Sequence, residues 1–339
     1  PLTSILSKVL ESVVMSQLFC HLDSTAFLHD HQFGFRPNRS VHQLLSLAIN
    51  DWCLARDQSL TSAVAFVDLS KAFDRVQHQQ LLLALHEIGI SGSALSWFKS
   101  YLSGRAQRVL RCGEVSPFLP VTRGVPQGSV LGPTLFNIYV RRLPATADTS
   151  GTKLLAFADD KTVYASCPTA KEAADLVSHT LSALATDLQQ LGLTINENKT
   201  VVMFIAPKRS PVCPTPTICI DGKVLTEVSS ARCLGVVIDK LSFTPHCDKL
   251  VAKVSRKIGA LRRSFRQLSP CACRLYVLCV IQSDLEFAFQ SFLPCLSAKD
   301  RGRLFAVHRR AIRAACGAHY CADVDPLYHS LKLCPLDHR

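Results

Sequence analysis

The chain has 339 residues, and 48% of them are hydrophobic. This composition provides enough apolar residues for a sizeable core and excludes a chain that is too polar to fold around one. That length suggests two or three domains, or one large enzyme with lobes. The formal net charge is +12, and 14 Lys and Arg residues against three acids fall between Lys249 and Arg313. Such a basic block indicates a polyanionic partner, most simply nucleic acid, although a solvated helical face would have the same composition.

Fifteen cysteines are scattered singly, mostly in apolar runs, which favours buried reduced thiols of a cytosolic or nuclear protein. We find no signal peptide and no uninterrupted apolar run long enough to span a bilayer. The chain opens without Met inside a helical pattern, so we expect it to be a fragment. A zinc site could be drawn near the end, but the spacing fits no common ligand pattern well. Its members would be Cys316, His319, Cys321, Cys334 and His338.

Hydrophobic periodicity places helices and strands in alternation along the chain. The helical segments are 4–22, 41–52, 81–85 up to Gly89, 93–102, 131–139, 170–191 and the basic region from 245 on. The β-prone segments are 61–69, 107–122, 154–158, 162–164, 201–206, 218–225 and 233–239. Ser40 and Ser70 are placed to cap the helices that follow them, and Gly192 ends the helix before it.

The stretch 153–166 joins an uncharged run to two adjacent carboxylates, Asp159 and Asp160, before β-prone residues resume. This pattern predicts a hairpin with the acidic pair at its tip. Two carboxylates about 4 Å apart repel by roughly 1 kcal/mol in water and about 4 kcal/mol at an effective dielectric of 20. The arrangement therefore favours a bound divalent cation of the Mg²⁺ type. A plain Asp-Asp turn in a surface hairpin is the alternative.

Asp68 also ends a β-prone run, 91 positions before Asp159. Neighbouring strands can bring such ends together at one sheet edge. Three carboxylates there could hold two Mg²⁺ ions about 3.5–4 Å apart, the arrangement that stabilises the attacking and leaving oxygens of an in-line nucleotidyl transfer.

With the Pro-Gln-Gly loop between these motifs, the chain resembles the reverse transcriptase domain of non-LTR (LINE-type) retrotransposons, in a form like the Jockey and chicken-repeat groups. The resemblance covers essentially the whole chain. It implies an α+β right-hand polymerase with fingers, palm and thumb, an antiparallel palm sheet and a helical thumb. It is carried, in the family's order, by QFGFRPNRS (32–40), FVDLSKAFDRVQH (66–78), SYLSGRAQRV (100–109), GVPQGSVLGPTLFNIYV (124–140), FADD (157–160), LGLTINENKT (191–200) and CLGVVID (233–239).

The resemblance implies an RNA-directed DNA polymerase that extends a DNA 3′ end on an RNA template by two-metal nucleotidyl transfer. Asp68, Asp159, Asp160 and the backbone carbonyl of Leu69 would bind two Mg²⁺ ions, with Mn²⁺ as a substitute. Lys199 matches the lysine that protonates the leaving pyrophosphate. A lysine that simply ends a turn is the alternative.

The resemblance also implies a nucleotide-binding set. Phe73 falls where the family places a ring under the sugar, which disfavours a 2′-OH and selects dNTPs. Gln127 would touch the incoming nucleotide, and Gly128 lets the backbone approach the base pair closely. Lys71 and Ala72 would present backbone N–H groups to the triphosphate, although for Lys71 a surface lysine at a helix start is the more common explanation.

Two further elements would meet the nucleic acid or the nucleotide. Arg36 lies in the fingers motif near nucleotide or template, or else it holds its own turn by hydrogen bonds. Cys233, Leu234 and Gly235 open the strand 233–239, which would hold the primer end against the palm.

The basic segment falls where the thumb belongs, as a helix packed on one side and facing phosphate on the other. For each neutralised phosphate, the binding constant of such contacts falls by roughly 0.7 to 0.9 log units per tenfold rise in salt. Contacts of this kind read little of the base sequence. The side chains expected on the phosphate-facing side are Lys253, Arg256, Lys257, Arg262 and Arg263.

The resemblance divides the chain into N-terminal helices and fingers (1–60), palm (61–245) with a fingers insertion between about 79 and 122, basic helical thumb (246–315) and the start of a C-terminal extension (316–339). The expected partners are an RNA template, a DNA primer or nicked target DNA and dNTPs, with no membrane. An endonuclease domain is expected elsewhere in the full polyprotein. The expected location is the nucleus and cytoplasm, as a ribonucleoprotein.

The chain departs from the family pattern at Arg141-Arg142, at Cys233 and at Phe287-Ala288-Phe289. None of these touches the metal ligands, but they leave room for a decayed copy. One alternative is therefore a catalytically inactive, retroelement-derived RNA-binding module. Another is an RNA-copying RNA polymerase, against which Phe73 argues.

Overall fold

The computed structural model describes residues 4–25, 27–148, 151–207 and 216–336. The chain forms two compact units. The first comprises Pro1–Leu44 and Leu54–Val228, and the second comprises Leu45–Cys53 and Ser229–Arg339. The middle of one helix, Val41–Asp57, therefore groups with the second unit.

The first unit is mixed helix and sheet. Its helices are α1 (Ile5–Ser24), the ends of α2 (Val41–Asp57), α3 (Ala72–Arg75), α4 (His78–Glu87), α5 (Gly92–Leu102), α6 (Gly132–Tyr139), α7 (Leu143–Asp148) and α8 (Ala170–Gln190). Its strands are β1 (Thr61–Val67), β2 (Ala106–Gln107), β3 (Leu110–Arg111), β4 (Glu114–Val115), β5 (Leu119–Pro120), β6 (Lys153–Phe157), β7 (Asp160–Cys167), β8 (Val201–Ile205), β9 (Cys219–Ile220), β10 (Lys223–Val224) and β11 (Thr226–Glu227).

A five-stranded sheet in the order β11-β8-β1-β7-β6 forms the centre of this unit. The predicted antiparallel sheet is confirmed for β6, β7, β1 and β8, whereas the short edge strand β11 runs parallel to β8. β1 is almost continuously buried because it has a neighbour on each side and helices against the sheet.

Helix α8 packs against this sheet through buried residues at helical spacing, among them Val177, Leu181, Leu184 and Leu188. Its N-terminus is capped by Thr169, whose side chain accepts a hydrogen bond from the Glu172 amide at 3.2 Å. The prediction of a helix over 170–191 is thus confirmed, since α8 spans Ala170–Gln190.

The second unit is mainly helical. Its elements are β12 (Ala231–Cys233), β13 (Val236–Ile238), α9 (Thr244–Ser264), α10 (Pro270–Tyr276), α11 (Ser283–Glu286), α12 (Phe289–Phe292), α13 (Ala298–Ala315) and α14 (Asp325–Leu331). The long basic helices α9 and α13 pack against each other. Helix α9 contributes a stripe of buried side chains at intervals of three and four residues: Leu250, Val254, Ile258 and Leu261.

Two local predictions are wrong. Segment 233–239 is not one strand, because Leu234 (φ 46°) and Gly235 (φ 94°) form a two-residue turn between β12 and β13. Both φ values are positive, as the tight turns of β-hairpins require. Ser70 does not cap a helix, because Lys71 adopts the left-handed conformation (φ 49°) and α3 begins only at Ala72.

Other local predictions are confirmed. Ser40 caps α2 in a reciprocal pair of hydrogen bonds with Gln43. The Cys112-Gly113 turn joins β3 to β4, and the Asp221-Gly222 turn joins β9 to β10. In each case a local turn or cap signal sufficed.

Helix α1 has the length and apolar composition of a membrane span, alone among the helices that the structure describes. A core helix or a signal sequence can meet the same criterion. This feature by itself is therefore not enough to indicate a span.

Candidate active site

The acidic pair stands at the tip of the β6–β7 hairpin. Phe157 pairs with Asp160, so Ala158 and Asp159 form the two-residue turn, with Ala158 in the left-handed region at φ 58°. The predicted hairpin with the acidic pair at its tip is thus confirmed. The turn leaves Asp159 at the loop and Asp160 at the first position of β7.

The register of β1 against β7 brings the third carboxylate to the same place. Val67, the last residue of β1, pairs with Lys161. Since the strands are antiparallel, the next residue, Asp68, falls opposite Asp160. The structure therefore brings together the three carboxylates that the sequence singled out.

Electrostatics show the same proximity. Partial burial raises the pKa of Asp160, and the negative charges of Asp159 and Asp68 raise it further. Within the described residues, no three His, Cys, Asp or Glu side chains already surround one point as metal ligands do. Three hard-oxygen donors that repel one another are nevertheless the donor set that divalent ions such as Mg²⁺ prefer, so these residues fit a divalent metal.

Asp68 is held from its other side by the segment that follows α8. The Asp68 amide donates to Thr200 Oγ1 at 3.3 Å, and its carbonyl accepts from the Asn196 amide at 2.8 Å. Lys199 Nζ lies 3.9 Å from Asp68 Oδ2. Leu69 pairs with Ile195 in the same bridge, whose two hydrogen bonds use the Asp68 carbonyl and the Ser70 amide.

The ring of Phe73 is half-buried beside this edge. It stacks on Phe136 of α6, with ring centroids 4.6 Å apart and an interplanar angle of 28°. Phe136 is fully buried. The left-handed Lys71 is exposed at the start of this turn, whereas Ala72 is buried.

The Pro-Gln-Gly loop is fastened to the same turn. Gln127 Nε2 donates to Asp74 Oδ1 at 2.7 Å, and the Val125 amide donates to the Phe73 carbonyl at 2.9 Å. Gly128, next along the loop, has φ 80°, a conformation that glycine adopts without strain. The Gln127 side chain is thus held by a carboxylate one residue after Phe73.

Glu11 of α1 fixes the other end of this loop, and the sequence analysis missed it. Its buried carboxylate accepts hydrogen bonds from the amides of Val130 (2.7 Å) and Leu131 (3.1 Å) and from the hydroxyl of Tyr101 (3.3 Å). Burial raises the pKa of Tyr101 to about 12, so this hydroxyl stays protonated and donates. The available signal was an acid inside the stretch 9–15, whose other residues are mostly apolar.

The fingers motif lies against the acidic hairpin as an added edge. The Phe33 amide donates to the Ala156 carbonyl at 2.8 Å, and the Ala156 amide donates to the His31 carbonyl at 2.9 Å. A Cβ on Gly34 would lie 2.4 Å from the Ala158 nitrogen, so only glycine fits there.

Arg36 is held within its own turn. Its guanidinium donates to the His29 carbonyl at 2.9 Å and lies 4.0 Å from Asp30. These contacts favour the turn-holding role over contact with nucleotide or template.

The side chains predicted to face phosphate fall into two groups in the second unit. Lys253 and Lys257 both pair with Asp284, at 2.9 and 2.6 Å, and Lys257 also donates to the Val280 carbonyl. The other three are exposed on α9: Arg256, Arg262 and Arg263. In the same unit, a Cβ on Gly235 would lie 2.9 Å from the Phe287 ring, so the 233–235 turn is closely packed.

Arg141 and Arg142, where the chain departs from the family pattern, both pair with Glu87, Arg142 at 3.2 Å. The Arg141 side chain is largely buried over the ring of Phe27, 5.2 Å from its centroid. Of the candidate zinc ligands, His338 lies outside the described residues, and the rest form no metal-binding group in the part that is described.

A mostly antiparallel sheet with three carboxylates gathered at the ends of its strands, flanked by helices, is the architecture expected of a right-hand nucleic acid polymerase. The sequence profile of the reverse transcriptase (RNA-dependent DNA polymerase) family matches residues 1–238, and the chain belongs to that family. The family generally uses divalent metal ions.

Several relatives are retrotransposon proteins of Drosophila melanogaster. The chain is 31% identical to a probable RNA-directed DNA polymerase from transposon BS over 98% of its length, and 30% identical to that of transposon X-element over 97%. It is 27% identical to the RNA-directed DNA polymerase from mobile element jockey over 76%. It spans 37%, 36% and 28% of these three proteins, respectively.

Among solved structures, apo telomerase from Candida tropicalis matches 96% of this chain and 61% of its own, with a TM-score of 0.49 and 13% identity. Telomerase from Candida albicans, in complex with a fragment of telomeric RNA, matches 96% of this chain and 54% of its own, with a TM-score of 0.45 and 15% identity.

Proposed function

We propose that this chain is the polymerase core of a non-LTR retrotransposon reverse transcriptase, which extends a DNA 3′ end on an RNA template. The observation that carries the proposal is the β1–β7 register, which sets Asp68 opposite Asp160 and beside the Asp159 turn. The named retrotransposon relatives support the same activity.

Asp68, Asp159, Asp160 and the carbonyl of Leu69 would hold two Mg²⁺ ions, with Mn²⁺ as a substitute. Bound there, the ions would stabilise the attacking and leaving oxygens of an in-line nucleotidyl transfer. Lys199, 3.9 Å from Asp68, would give a proton to the leaving pyrophosphate. The pairing of Leu69 with Ile195 supports the proposed role of its carbonyl, because the hydrogen bonds of that pairing use the neighbouring residues.

The nucleotide would lie between the acidic tip and the Pro-Gln-Gly loop. The ring of Phe73, supported by Phe136, would exclude a 2′-OH, so that dNTPs are favoured. Gln127, held by Asp74, would touch the nucleotide, and Gly128 would admit the base pair. The backbone amides of the Lys71–Ala72 turn would meet the triphosphate.

Template and primer would be held mainly by backbone contacts. Arg256, Arg262 and Arg263 are exposed and would contact phosphates, whereas Lys253 and Lys257 would first have to leave Asp284. The Cys233–Gly235 turn would hold the primer end.

The proposed division is fingers 1–60, palm 61–245 with the insertion at about 79–122, thumb 246–315 and a C-terminal extension from 316. An endonuclease domain elsewhere in the polyprotein would supply nicked target DNA. The complete ribonucleoprotein would act in the nucleus and cytoplasm.

Primer extension tests the proposal. The full chain should incorporate dTTP on poly(rA)/oligo(dT) when Mg²⁺ is present. When Mn²⁺ replaces Mg²⁺, the amount of dTTP incorporated should be lower or the products should differ in length. Asp159→Asn should abolish incorporation, while Asp175→Asn, an exposed acid on α8, should leave it unchanged. Equal incorporation by the wild type and Asp159→Asn would contradict the proposal.

An RNA-binding assay and a competition between NTPs and dNTPs, run beside primer extension, distinguish two other functions. Salt-sensitive RNA retention without any metal-dependent synthesis would identify an inactive RNA-binding module. Incorporation of NTPs in preference to dNTPs would identify an RNA-copying RNA polymerase.

A further inference from the structure

Lys161 is a buried lysine directly after the acidic pair. It is 2% exposed and begins a run of five buried residues, 161–165, in β7. Since neighbouring side chains of a strand point to opposite faces, its side chain points away from that of Asp160. Its ammonium donates to the Ala158 carbonyl at 3.0 Å. The same nitrogen lies 5.9 Å from the centroid of the Phe136 ring. One contact therefore ties the lysine to the hairpin turn, and the other ties it to the helix beneath.

A buried ammonium ion is costly unless negative charge compensates it. Lys161 directly follows Asp160, and its ammonium is hydrogen-bonded to the carbonyl of Ala158, the residue before Asp159. The acidic pair therefore supplies negative charge on both sides of the turn that this buried cation holds.

A second lysine faces the carboxylates from the solvent side. Lys199 Nζ lies 3.9 Å from Asp68, and its side chain is 69% exposed. Water and salt screen an exposed charge far more than a buried one. The two lysines therefore form a natural comparison, in which the same charge acts once from the interior and once from the surface.

We propose that Lys161 is a positioning residue whose buried ammonium serves as the internal counter-charge of the adjacent Asp159 and Asp160 and competes with divalent metal for those carboxylates. This inference rests on the proposed function, since it concerns the same metal-binding carboxylates. In the absence of metal the ammonium offsets their mutual repulsion and holds the Ala158–Asp159 turn in place. When a divalent ion binds, the same positive charge weakens its binding. The arrangement of carboxylates is therefore kept without metal, and a bound metal ion is released readily.

Direct metal binding tests this inference independently of catalysis. Mn²⁺ would be titrated into the full chain and free Mn²⁺ followed by electron paramagnetic resonance, for the wild type, Lys161→Met, Lys161→Gln and Lys199→Met. The neutral variants at position 161 should bind Mn²⁺ about tenfold more tightly than the wild type, because a buried positive charge beside the carboxylates is little screened by solvent. Lys199→Met should change the affinity by about twofold or less, because that charge is screened.

Thermal unfolding supplies the second measurement. In EDTA the neutral variants at position 161 should unfold at a lower temperature than the wild type, and saturating Mn²⁺ should remove most of the difference. Lys161→Arg, which keeps the charge, should bind Mn²⁺ with near wild-type affinity.

Mn²⁺ affinity that is unchanged or weaker in folded Lys161→Met and Lys161→Gln would overturn the inference. So would failure of both neutral variants to fold at saturating Mn²⁺, because the metal would then not replace the ammonium. Mn²⁺ binding by the wild type should be lost in Asp159→Asn. If the wild type binds no Mn²⁺, or if Asp159→Asn binds it equally well, the proposed metal-dependent polymerase function itself is contradicted.

Discussion

Asp68 and Asp160 face each other across the β1–β7 ladder, because Val67 pairs with Lys161 and the two strands run antiparallel. A one-residue slip of that register would send Asp68 to the opposite face of the sheet. The register is fixed by burial, since residues of β1 and β7 such as Ala63, Ala65, Val163 and Ala165 lie in the core. The position of the acidic cluster thus depends on packing remote from the carboxylates themselves.

Asp160→Asn should abolish polymerisation and slightly stabilise the metal-free chain. Burial and the charges of Asp159 and Asp68 raise the pKa of Asp160, which means that its ionised form is disfavoured in the fold. The carboxylate of Asp160 is only partly buried, and the residue still reaches solvent at the hairpin tip. Water therefore screens much of this repulsion, and we expect a rise of about 1–2 °C in Tm, measured in EDTA. The exposed Asp175→Asn is the control and should change neither quantity; a lower Tm for Asp160→Asn would contradict the repulsion argument.

Phe73→Ala should relax sugar selection. The ring stands on Phe136 at 4.6 Å, and its removal leaves space for a 2′-OH. In a competition between dTTP and UTP, the preference for dTTP should fall by about tenfold or more, a difference of about 1.4 kcal/mol in relative transition-state binding. Phe118→Ala, an exposed ring, should keep the wild-type preference. Unchanged selectivity in Phe73→Ala would exclude this ring as the gate.

Glu11→Ala should loosen the loop that carries Gln127. It removes the acceptor of two buried backbone amides and of the Tyr101 hydroxyl, so the free energy of unfolding should fall by about 2–3 kcal/mol. The KM for dNTP should rise more than kcat falls, because the carboxylate does not reach the reacting atoms. Glu11→Gln retains an acceptor and should lose less, and the exposed Glu227→Ala should lose almost nothing. Equal kinetics for Glu11→Ala and the wild type would show that the loop does not depend on this carboxylate.

Gly34→Ala should disturb the acidic tip from the neighbouring segment. An added Cβ would meet the Ala158 backbone nitrogen at 2.4 Å, so the fingers segment or the turn must move. We expect at least a tenfold loss in primer extension, with lowered stability by chemical denaturation. Gly302→Ala is the matched control, since its Cβ meets nothing within 4 Å and lies inside α13. That control should stabilise the chain by about 0.5–1 kcal/mol; the same loss of activity in both variants would contradict the steric argument.

His246 should make the second unit sensitive to acid. Burial, followed by the nearby charge of Lys249, lowers its pKa to about 4, and its Nδ1 accepts a hydrogen bond from the Val237 amide at 3.3 Å. The unfolded state, with a pKa near 6.5, binds more protons between pH 6.5 and 4. Stability from the neutral ring is therefore complete above pH 6.5 and is lost as pH falls toward 4, by about 3 kcal/mol at most.

His246→Asn keeps a δ-position acceptor but does not titrate. In denaturant titrations from pH 7 to 4 it should show a shallower loss of stability than the wild type. The exposed His319→Asn is the control. Parallel pH profiles for the wild type and His246→Asn would show that this ring does not take up the proton.

The sequence alone determined the elements whose signals are local. The acidic hairpin, helix α8 and the Ser40 cap follow from turn chemistry, hydrophobic period and short-range hydrogen bonds. The order of the family motifs was enough to identify the reverse transcriptase family. All of these features are carried by residues close together in the chain or by motifs that can be read one at a time.

Only the tertiary structure decided which side chains face those motifs. The burial of Lys161, the attachment of Glu11 to the loop 119 positions later and the pairing of Lys253 and Lys257 with Asp284 depend on how distant segments pack. The same holds for the turn inside 233–239. The β-prone pattern predicted one continuous strand there, whereas the structure has a tight hairpin that packs against Phe287. A sequence shows which side chains are charged. The partners of each charged side chain and its loss of solvent are set by contacts between distant segments, which no local pattern contains.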